Sequence, residues 1–314
     1  MNNKMHYLRV SLLKACNFNC FYCRPPSIKD YDQRDFTSPG TFKSAIRLLF
    51  RMGIGKVRFT GGEPTLYKSL PELISFTKSL SGNVKTAITT NGRLLERLAP
   101  SLADAGLDSV NVSLDTVNPR KFKSITSVDC FDKVVAGINA AIKYIPDVKL
   151  NCVVIKDVND KESKAMVDFA NNLGIDIRFI EYMPTKYNAS VNRGFVSGAV
   201  TQKRIGHDLF PVATEKASPA RYYGSDALTN RVGLINSVSQ PFCVHCNRIR
   251  LAADGNLYTC LFSARAINLF NLLDESYETA AKVIDKFVAG KVYVGCSTAP
   301  AKREFLPSFS EIGG

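Results

Sequence analysis

The chain has 314 residues and a formal net charge of +13 at pH 7, with 45% hydrophobic and 22% charged residues, which is typical of a globular protein and not of a disordered one. No apolar run approaches the roughly 18 residues that a membrane span needs, and Met1–Arg9 lacks the apolar segment of a signal peptide. We therefore expect a cytoplasmic protein with an anionic partner and no membrane partner. The charge excess is spread along the chain without a basic arm, which argues against nucleic acid as the partner.

Short apolar segments alternate with stretches of helical periodicity over the first 181 residues, which predicts parallel β/α units. The predicted strands are Leu8–Leu13, Val57–Thr60, Ala87–Thr90, Ser109–Leu114, Lys149–Ile155 and Ile177–Glu181. The predicted helices cover Phe42–Leu49, Leu70–Leu80, Leu94–Ala105, Val134–Ile145 and Met166–Leu173. Six such units are compatible with an open sheet or with an incomplete barrel, and either fold builds its site at the strand ends.

The remainder of the chain has a different character. Residues 185–240 show no ordered pattern, whereas Arg248–Ala252 and Leu257–Leu261 flank Asp254-Gly255 and predict a hairpin. A helix is predicted at Tyr277–Val288, followed by an extended tail at Lys302–Gly314.

Six of the nine cysteines fall into two tight groups. Cys16, Cys20 and Cys23 form C-x3-C-x2-C, and Cys243, Cys246 and Cys260 form C-x2-C-x13-C, the last one returned toward the others by the hairpin. Cysteine groups in a cytosolic chain indicate metal or redox sites rather than disulfides. The others are Cys130, Cys152 and Cys296, of which Cys152 lies in an apolar strand and is interpreted as an inert buried thiol. With three histidines in the chain, a His-rich zinc site and a Ser-His-Asp triad are improbable.

The first cysteine group supplies three thiolates, whereas structural zinc takes four ligands. A [4Fe–4S] cluster held by three cysteines keeps one iron free of protein ligands, so that iron can bind a small molecule. The group is followed by Gly61-Gly62-Glu63-Pro64 at the end of the second predicted strand. Together the two motifs resemble those of the radical S-adenosylmethionine (SAM) enzymes. This resemblance implies that the free iron binds SAM and that cleavage of SAM yields a 5′-deoxyadenosyl radical.

The second group lies in a segment, Pro241–Leu251, that resembles the GTP 3′,8-cyclase family (molybdenum cofactor biosynthesis protein A), as do its continuation to Phe262 and the terminal Gly313-Gly314. The resemblance implies an α/β fold: an incomplete (β/α)6 TIM-like barrel at residues 1–184, followed by a C-terminal α+β extension at 185–314. The extension would carry a second [4Fe–4S] cluster and the Gly-Gly tail.

The implied reaction is a lyase-type radical conversion of GTP to (8S)-3′,8-cyclo-7,8-dihydroguanosine 5′-triphosphate, the first step of molybdenum cofactor biosynthesis. The cluster ligands, the substrate contacts and the catalytic positions are implied by the motifs of this family. The first cluster takes Cys16, Cys20 and Cys23, and the second takes Cys243, Cys246 and Cys260. The positions implied to contact SAM are Tyr22, Gly62, Glu63, Ser113 and Met183. Those implied to contact GTP are Arg9, Arg58, Thr89, Lys149, Arg248 and Arg250. The catalytic positions are Arg248, Arg250, Gly313 and Gly314.

The implied partners are GTP as substrate, an electron donor protein of flavodoxin or ferredoxin type, a downstream cyclic pyranopterin monophosphate synthase, and a second copy of the chain in a homodimer. Two alternatives stay open. One is a related radical SAM enzyme that acts on another nucleotide or on a peptide. The other is a zinc-stabilised, basic nucleic-acid-binding protein, which would be colourless, whereas two [4Fe–4S] clusters would give brown protein with about eight irons per chain.

Overall fold

The computed structural model describes residues 5–23, 37–183, 194–215, 217–263 and 265–291. The strands in this part of the chain are β1 Tyr7–Ser11, β2 Lys56–Thr60, β3 Lys85–Thr90, β4 Ser109–Ser113, β5 Asp147–Val154, β6 Asp176–Glu181, β7 Phe210–Pro211, β8 Arg221–Gly224, β9 Val232–Ile235, β10 Arg248–Leu251, β11 Asn256–Tyr258 and β12 Ala266–Asn268. The α-helices are α1 Pro39–Arg51, α2 Leu70–Leu80, α3 Leu95–Asp104, α4 Pro119–Thr126, α5 Phe131–Tyr144, α6 Ser163–Asn172, α7 Gly198–Ile205 and α8 Tyr277–Ala289.

All of these strands belong to one sheet, in the order β12-β11-β10-β1-β2-β3-β4-β5-β6-β9-β8-β7. Strands β1 to β6 run parallel, and the C-terminal segment adds β10 parallel to β1 and β9 parallel to β6. The sheet does not close, so the predicted incomplete barrel with a C-terminal extension is confirmed. The extension lengthens both edges of the same sheet.

The two faces of the parallel strands differ sharply in polarity. Strand side chains of one face, such as Leu8, Val57 and Ile88, are buried in the hydrophobic core together with residues of the helices. The alternating side chains of the opposite face are mostly polar, as Arg9, Arg58 and Asn111 are. Because successive strand residues point to opposite faces, the helices pack on one side of the sheet and a polar surface lines the other.

The six predicted strands and five predicted helices of the first part are present, with ends that differ by a few residues. Helix α4 was not predicted, although Asn118 and Pro119 form a recognisable helix start: the Asn118 side chain accepts a hydrogen bond from the Lys121 amide at 3.1 Å. The predicted hairpin is confirmed, with Arg250 opposite Tyr258 and Leu251 opposite Leu257, and so is the predicted helix near residue 277.

Residues 185–240, to which the sequence pattern assigns no elements, contain α7 and the strands β7 to β9 in their described part. The proposed boundary between residues 184 and 185 lies outside the described residues, as do the tail and Cys296. Among the described helices, none is long and apolar enough to cross a membrane.

Candidate functional site

The first cysteine group lies on the loop that follows β1. Inside the loop, the Phe18 amide donates to Cys16 Sγ at 3.4 Å and the Cys23 amide donates to the Cys20 carbonyl at 3.0 Å. The Asn91 side chain, at the end of β3, lies 3.9 Å from Cys16 Sγ and donates to Asn17 Oδ1 at 2.6 Å. The loop therefore presents its cysteines at the carboxyl edge of the parallel strands.

The glycine motif lies directly against this loop. Gly61 has a φ of +144°, and a Cβ on Gly62 would lie 2.1 Å from the carbonyl oxygen of Ala15. The Gly62 amide donates to Leu13 O at 2.7 Å, and the Glu63 amide donates to Ala15 O at 2.8 Å. Both glycines are thus required for the two backbones to approach, which places the motif beside the first cysteine loop.

The carboxylate of Glu63 is fully engaged inside the protein. Its Oε1 accepts from the Thr65 amide and hydroxyl at 3.0 and 2.6 Å and from the Thr90 hydroxyl at 2.6 Å, and its Oε2 accepts from the Asn91 amide at 2.7 Å. Burial raises the pKa of Glu63, against the effect of these hydrogen bonds. The side chain therefore fixes the glycine motif to the end of β3, and a direct contact with SAM remains a prediction.

A small cavity of about 40 Å³ lies at this edge and joins three of the predicted residues: Cys20, Tyr22 and Ser113. Its lining also includes Asp115, which sequence reasoning missed. The Tyr22 hydroxyl donates to Asp115 Oδ2 at 2.6 Å, and Asp115 Oδ1 accepts from the Val153 amide at 2.8 Å. Burial raises the pKa of Asp115 to about 6 and also raises that of Tyr22. Gly62 and Met183 are not part of this lining; Met183 follows β6 and is half-buried.

The polar face of the sheet carries a row of arginines. In the strand register Arg9 on β1 lies between Arg250 on β10 and Arg58 on β2. Two residues before Arg9, on the same face of the sheet, Tyr7 lies between Arg248 on β10 and Lys56 on β2. We call Arg9, Lys56, Arg58, Arg248 and Arg250 the basic row. Its members come from three strands that are far apart in sequence, so only the sheet brings them together.

The charges of the basic row perturb one another. Burial lowers the pKa of Arg9 well below its usual value, and neighbouring Arg250 lowers it further; the pKa of Arg250 falls to about 10 through burial and Arg248. Burial alone would raise the pKa of Tyr7, but the cations around it prevail and lower it to about 7. Buried like charges at this density are unfavourable unless an anion neutralises them.

Two other predicted GTP contacts have partners within the protein. Thr89 Oγ accepts a hydrogen bond from Arg58 Nη1 at 3.2 Å, and the same nitrogen donates to the Ile88 carbonyl at 2.6 Å. Lys149 on β5 lies on the same face but forms an ion pair with Asp147 of its own strand. Thr89 therefore orients Arg58, whereas the charge of Lys149 is already balanced.

Arg178 on β6 lies on the same face and was missed by sequence reasoning. In the register it lies opposite Asn151 of β5 and Gly233 of β9, where a Cβ would approach the Arg178 side chain to 2.7 Å. Its Nε and Nη2 atoms are buried and have no hydrogen-bond partner among the described residues, and the same holds for Asn151 Oδ1. The sequence offered a signal: Arg178 lies between the apolar residues Ile177 and Phe179 in the middle of β6.

The second cysteine group surrounds the hairpin. Cys243 begins the short 3-10 turn Cys243–His245, Cys246 follows this turn just before β10, and Cys260 follows β11. The Cys246 amide donates to Cys243 O at 3.0 Å, and the Phe262 amide donates to Cys260 Sγ at 3.4 Å, which parallels the first loop. The hairpin thus returns Cys260 to the other two thiols, as predicted.

The thiols of each group influence one another electrostatically. Burial raises the pKa of Cys20, and the other two cysteines of its group contribute; the pKa of Cys243 is raised in the same way by burial, Cys260 and Cys246. Among the described residues, no three Cys, His, Asp or Glu side chains form a group that would hold one metal ion. The two sets of partly exposed thiols, which form no disulfides in the described part of the chain, fit a cluster that spreads its cysteine ligands over several irons. Gly313 and Gly314 lie outside the described residues.

Comparison with known proteins agrees with this geometry. The family model of the Radical SAM superfamily matches residues 10–170, and the model described as Molybdenum Cofactor Synthesis C matches residues 175–293. The first match covers the cysteine loop, the glycine motif and the strands β2 to β5. The second covers the other cysteine group and both added sheet edges.

The chain is 35% identical to the GTP 3′,8-cyclase of Alkaliphilus oremlandii, over 100% of this chain and 98% of that protein. It is 36% identical to the molybdenum cofactor biosynthesis protein moc-5 of Caenorhabditis elegans, over 91% of this chain and 49% of that protein. Among solved structures, SuiB of Streptococcus suis bound to S-adenosylmethionine superimposes with a TM-score of 0.64 at 16% identity, over 91% of this chain and 68% of that one. The last similarity concerns the fold alone. The two family models and the full-length similarity show that the chain belongs to the radical SAM superfamily and, within it, to the GTP 3′,8-cyclase family.

Proposed function

We propose that the protein is a GTP 3′,8-cyclase that converts GTP and SAM to the cyclised nucleotide of molybdenum cofactor biosynthesis. The observation that supports this activity most directly is the basic row, an array of partly and fully buried cations on the sheet face between two cysteine groups. A triphosphate is a ligand that would neutralise such an array, because guanidinium groups donate paired hydrogen bonds to phosphate oxygens.

We assign the first cluster to Cys16, Cys20 and Cys23, and the second to Cys243, Cys246 and Cys260. When bound, the first cluster and SAM supply a 5′-deoxyadenosyl radical. Tyr22, Gly62, Ser113 and Met183 are assigned to SAM, and Glu63 supports this site by fixing the glycine motif. The hydrogen bond from the Tyr22 hydroxyl to Asp115, which follows β4, orients the tyrosine ring next to Cys23 in the chain.

The GTP contacts are assigned to Arg9, Arg58, Thr89, Lys149, Arg248 and Arg250, to which we add Arg178. Arg58 is held by Thr89, Tyr7 and the Ile88 carbonyl, so its guanidinium is preorganised before substrate binds. Arg248 stacks over the Phe242 ring at 4.8 Å, next to the second cysteine group. These contacts would place the nucleotide between the two cysteine groups. The tail residues Gly313 and Gly314, the electron donor, the downstream synthase and the homodimer remain predictions.

The activity is tested with anaerobically reconstituted protein, SAM, GTP and a low-potential reductant. We expect 5′-deoxyadenosine and the cyclised nucleotide in equal amounts. Formation of 5′-deoxyadenosine while GTP remains unchanged would contradict the proposal. Arg248→Ala should reduce GTP consumption and leave part of the uncoupled SAM cleavage, because the residue lies at the second cysteine group rather than the first.

The cluster assignment is tested by iron analysis of the same preparation. We expect about eight irons per chain in the wild-type protein and about four in both Cys20→Ala and Cys243→Ala, since each [4Fe–4S] cluster needs its three thiolates. Cys20→Ala should also abolish SAM cleavage. Cys130→Ala, which removes a buried thiol outside both groups, is the matched control and should keep about eight irons.

A further inference from the structure

Lys291, two residues after α8, lies against the second cysteine group although the sequence places it 31 positions beyond Cys260. Its Nζ donates to the carbonyl oxygens of Cys246 and Arg248 at 3.0 and 3.1 Å. The same nitrogen lies 3.6 Å from Cys246 Sγ and 3.8 Å from Met5 Sδ. The two carbonyls therefore fix the ammonium group, and one of its protons is directed to the cysteine sulfur.

The environments of the two cysteine groups differ in charge. At the second group the Lys291 ammonium lies 3.6 Å from Cys246 Sγ, and the cation of Arg248 follows two residues later in the chain. At the first group, Cys20 lines the same small cavity as the carboxyl group of Asp115. A nearby cation stabilises the added negative charge of a reduced cluster, and hydrogen bonds to the cysteine sulfurs have the same effect.

We propose that Lys291 is a positioning residue of the second cluster: by donating an N–H···S hydrogen bond to Cys246 and placing a cation beside it, it raises the reduction potential of that cluster. The inference rests on the proposed function, because it requires the second cluster to be present. The reaction concerned is the gain of one electron by the cluster, from the oxidised to the reduced form, with the electron supplied by a low-potential donor.

The physical consequence concerns the reduced form of the second cluster. Because the Lys291 ammonium lies 3.6 Å from Cys246 Sγ, an electron added to this cluster is more stable than it would be without that cation. The ammonium is held by main-chain carbonyls, so its position does not depend on the side chains of the GTP site. The second cluster is therefore tuned by a residue outside the basic row.

The test is a redox titration followed by electron paramagnetic resonance. Each variant is prepared in the full-length chain with Cys16, Cys20 and Cys23 replaced by alanine, so the second cluster is observed alone. Lys291→Met should lower the equilibrium constant for one-electron reduction of the second cluster about tenfold. This corresponds to a fall of about 59 mV in the reduction potential of the cluster. Lys291→Arg should remain close to the parent protein. Lys282→Met, which removes an exposed lysine of α8, is the matched control for net charge.

The outcomes separate the two proposals. A parent protein without about four irons per chain would refute the second cluster, and the inference with it. If the parent protein holds about four irons, an unchanged reduction potential in Lys291→Met would refute the role of Lys291 but not the second cluster. An equal shift of the potential in Lys282→Met would have the same meaning. If Lys291→Met fails to retain iron, Lys291→Gln decides by the same criterion: a lowered potential supports the proposal and an unchanged one overturns it.

Discussion

Replacing Arg178 by methionine should have two effects of opposite direction, and together they identify it as a ligand of the triphosphate. The side chain places a cation on the polar face of β6 with two buried nitrogen atoms that lack partners in the described part of the chain. Burial lowers its pKa, with Tyr222 acting in the opposite direction. The interaction with Tyr222 offsets only part of the desolvation cost of Arg178, and a bound phosphate would offset the rest.

The magnitudes follow from hydrogen bonding. A hydrogen bond to a charged group contributes about 1.5–3 kcal/mol, so the Kd for GTP should rise about 10- to 150-fold in Arg178→Met. Methionine has a similar length and no polar group, so the nucleotide-free variant should gain about 1 kcal/mol in the free energy of unfolding. A gain of stability coupled to a loss of affinity is not expected from a merely structural arginine.

The assay measures GTP and GMP binding by calorimetry under anaerobic conditions, and unfolding by denaturant titration without nucleotide. If Arg178 contacts the outer phosphates, the preference for GTP over GMP should decrease along with the affinity. Arg97→Met, which removes an exposed arginine of α3, controls for the loss of one positive charge. Unchanged GTP affinity in Arg178→Met, or an equal loss in Arg97→Met, would show that Arg178 does not bind the triphosphate.

Three further predictions concern the residues around the site. Tyr7→Phe should remove a pH dependence of the free energy of unfolding. The pKa of Tyr7 is about 7 in the folded protein and about 10 in the unfolded chain, so its contribution to stability is complete above about pH 10 and is lost as the pH falls through 7. Denaturant titrations from about pH 6 to 10 would detect this dependence. An identical pH profile in the variant would show that Tyr7 stays protonated. Glu63→Gln should destabilise the protein by about 1–3 kcal/mol, because an amide group cannot accept all the hydrogen bonds that this carboxylate receives, and SAM binding should weaken as well. Unchanged stability and SAM affinity would show that Glu63 does not hold the glycine motif in place. Gly62→Ala should displace the first cysteine loop, because its Cβ would lie 2.1 Å from Ala15 O, and the protein should lose iron and SAM affinity. The control Gly82→Ala, where a Cβ meets no atom within 4 Å, should retain both. Equal iron content and SAM affinity in the two variants would contradict the close approach at Gly62.

The arginines on the polar face of the sheet were only partly predictable from the sequence. Arg248 and Arg250 were expected to act together because strand residues two apart share a face, and the strand β10 confirms the spacing. Their proximity to Arg9 was implied by family resemblance alone, since no local pattern in the sequence states that β10 pairs with β1. Arg178 was missed for a related reason: in the sequence it is one of three charged residues of β6, beside Asp176 and Glu181, and its unsatisfied nitrogen atoms become visible only with its neighbours in place.

The local features of the protein could be predicted from the order of its residues. The alternation of apolar segments set the parallel strands and their helices, Asp254-Gly255 set the hairpin, and the cysteine spacing with Gly61-Gly62 identified the superfamily. Each of these depends on residues close together in the chain, whose conformations are constrained by steric and hydrogen-bonding rules. The tertiary structure alone decided that β10 and β9 extend the two edges of one sheet, and that Lys291 meets Cys246. Such contacts between distant residues arise from the packing of the whole chain, because many pairings of the same strands would satisfy the local rules equally well.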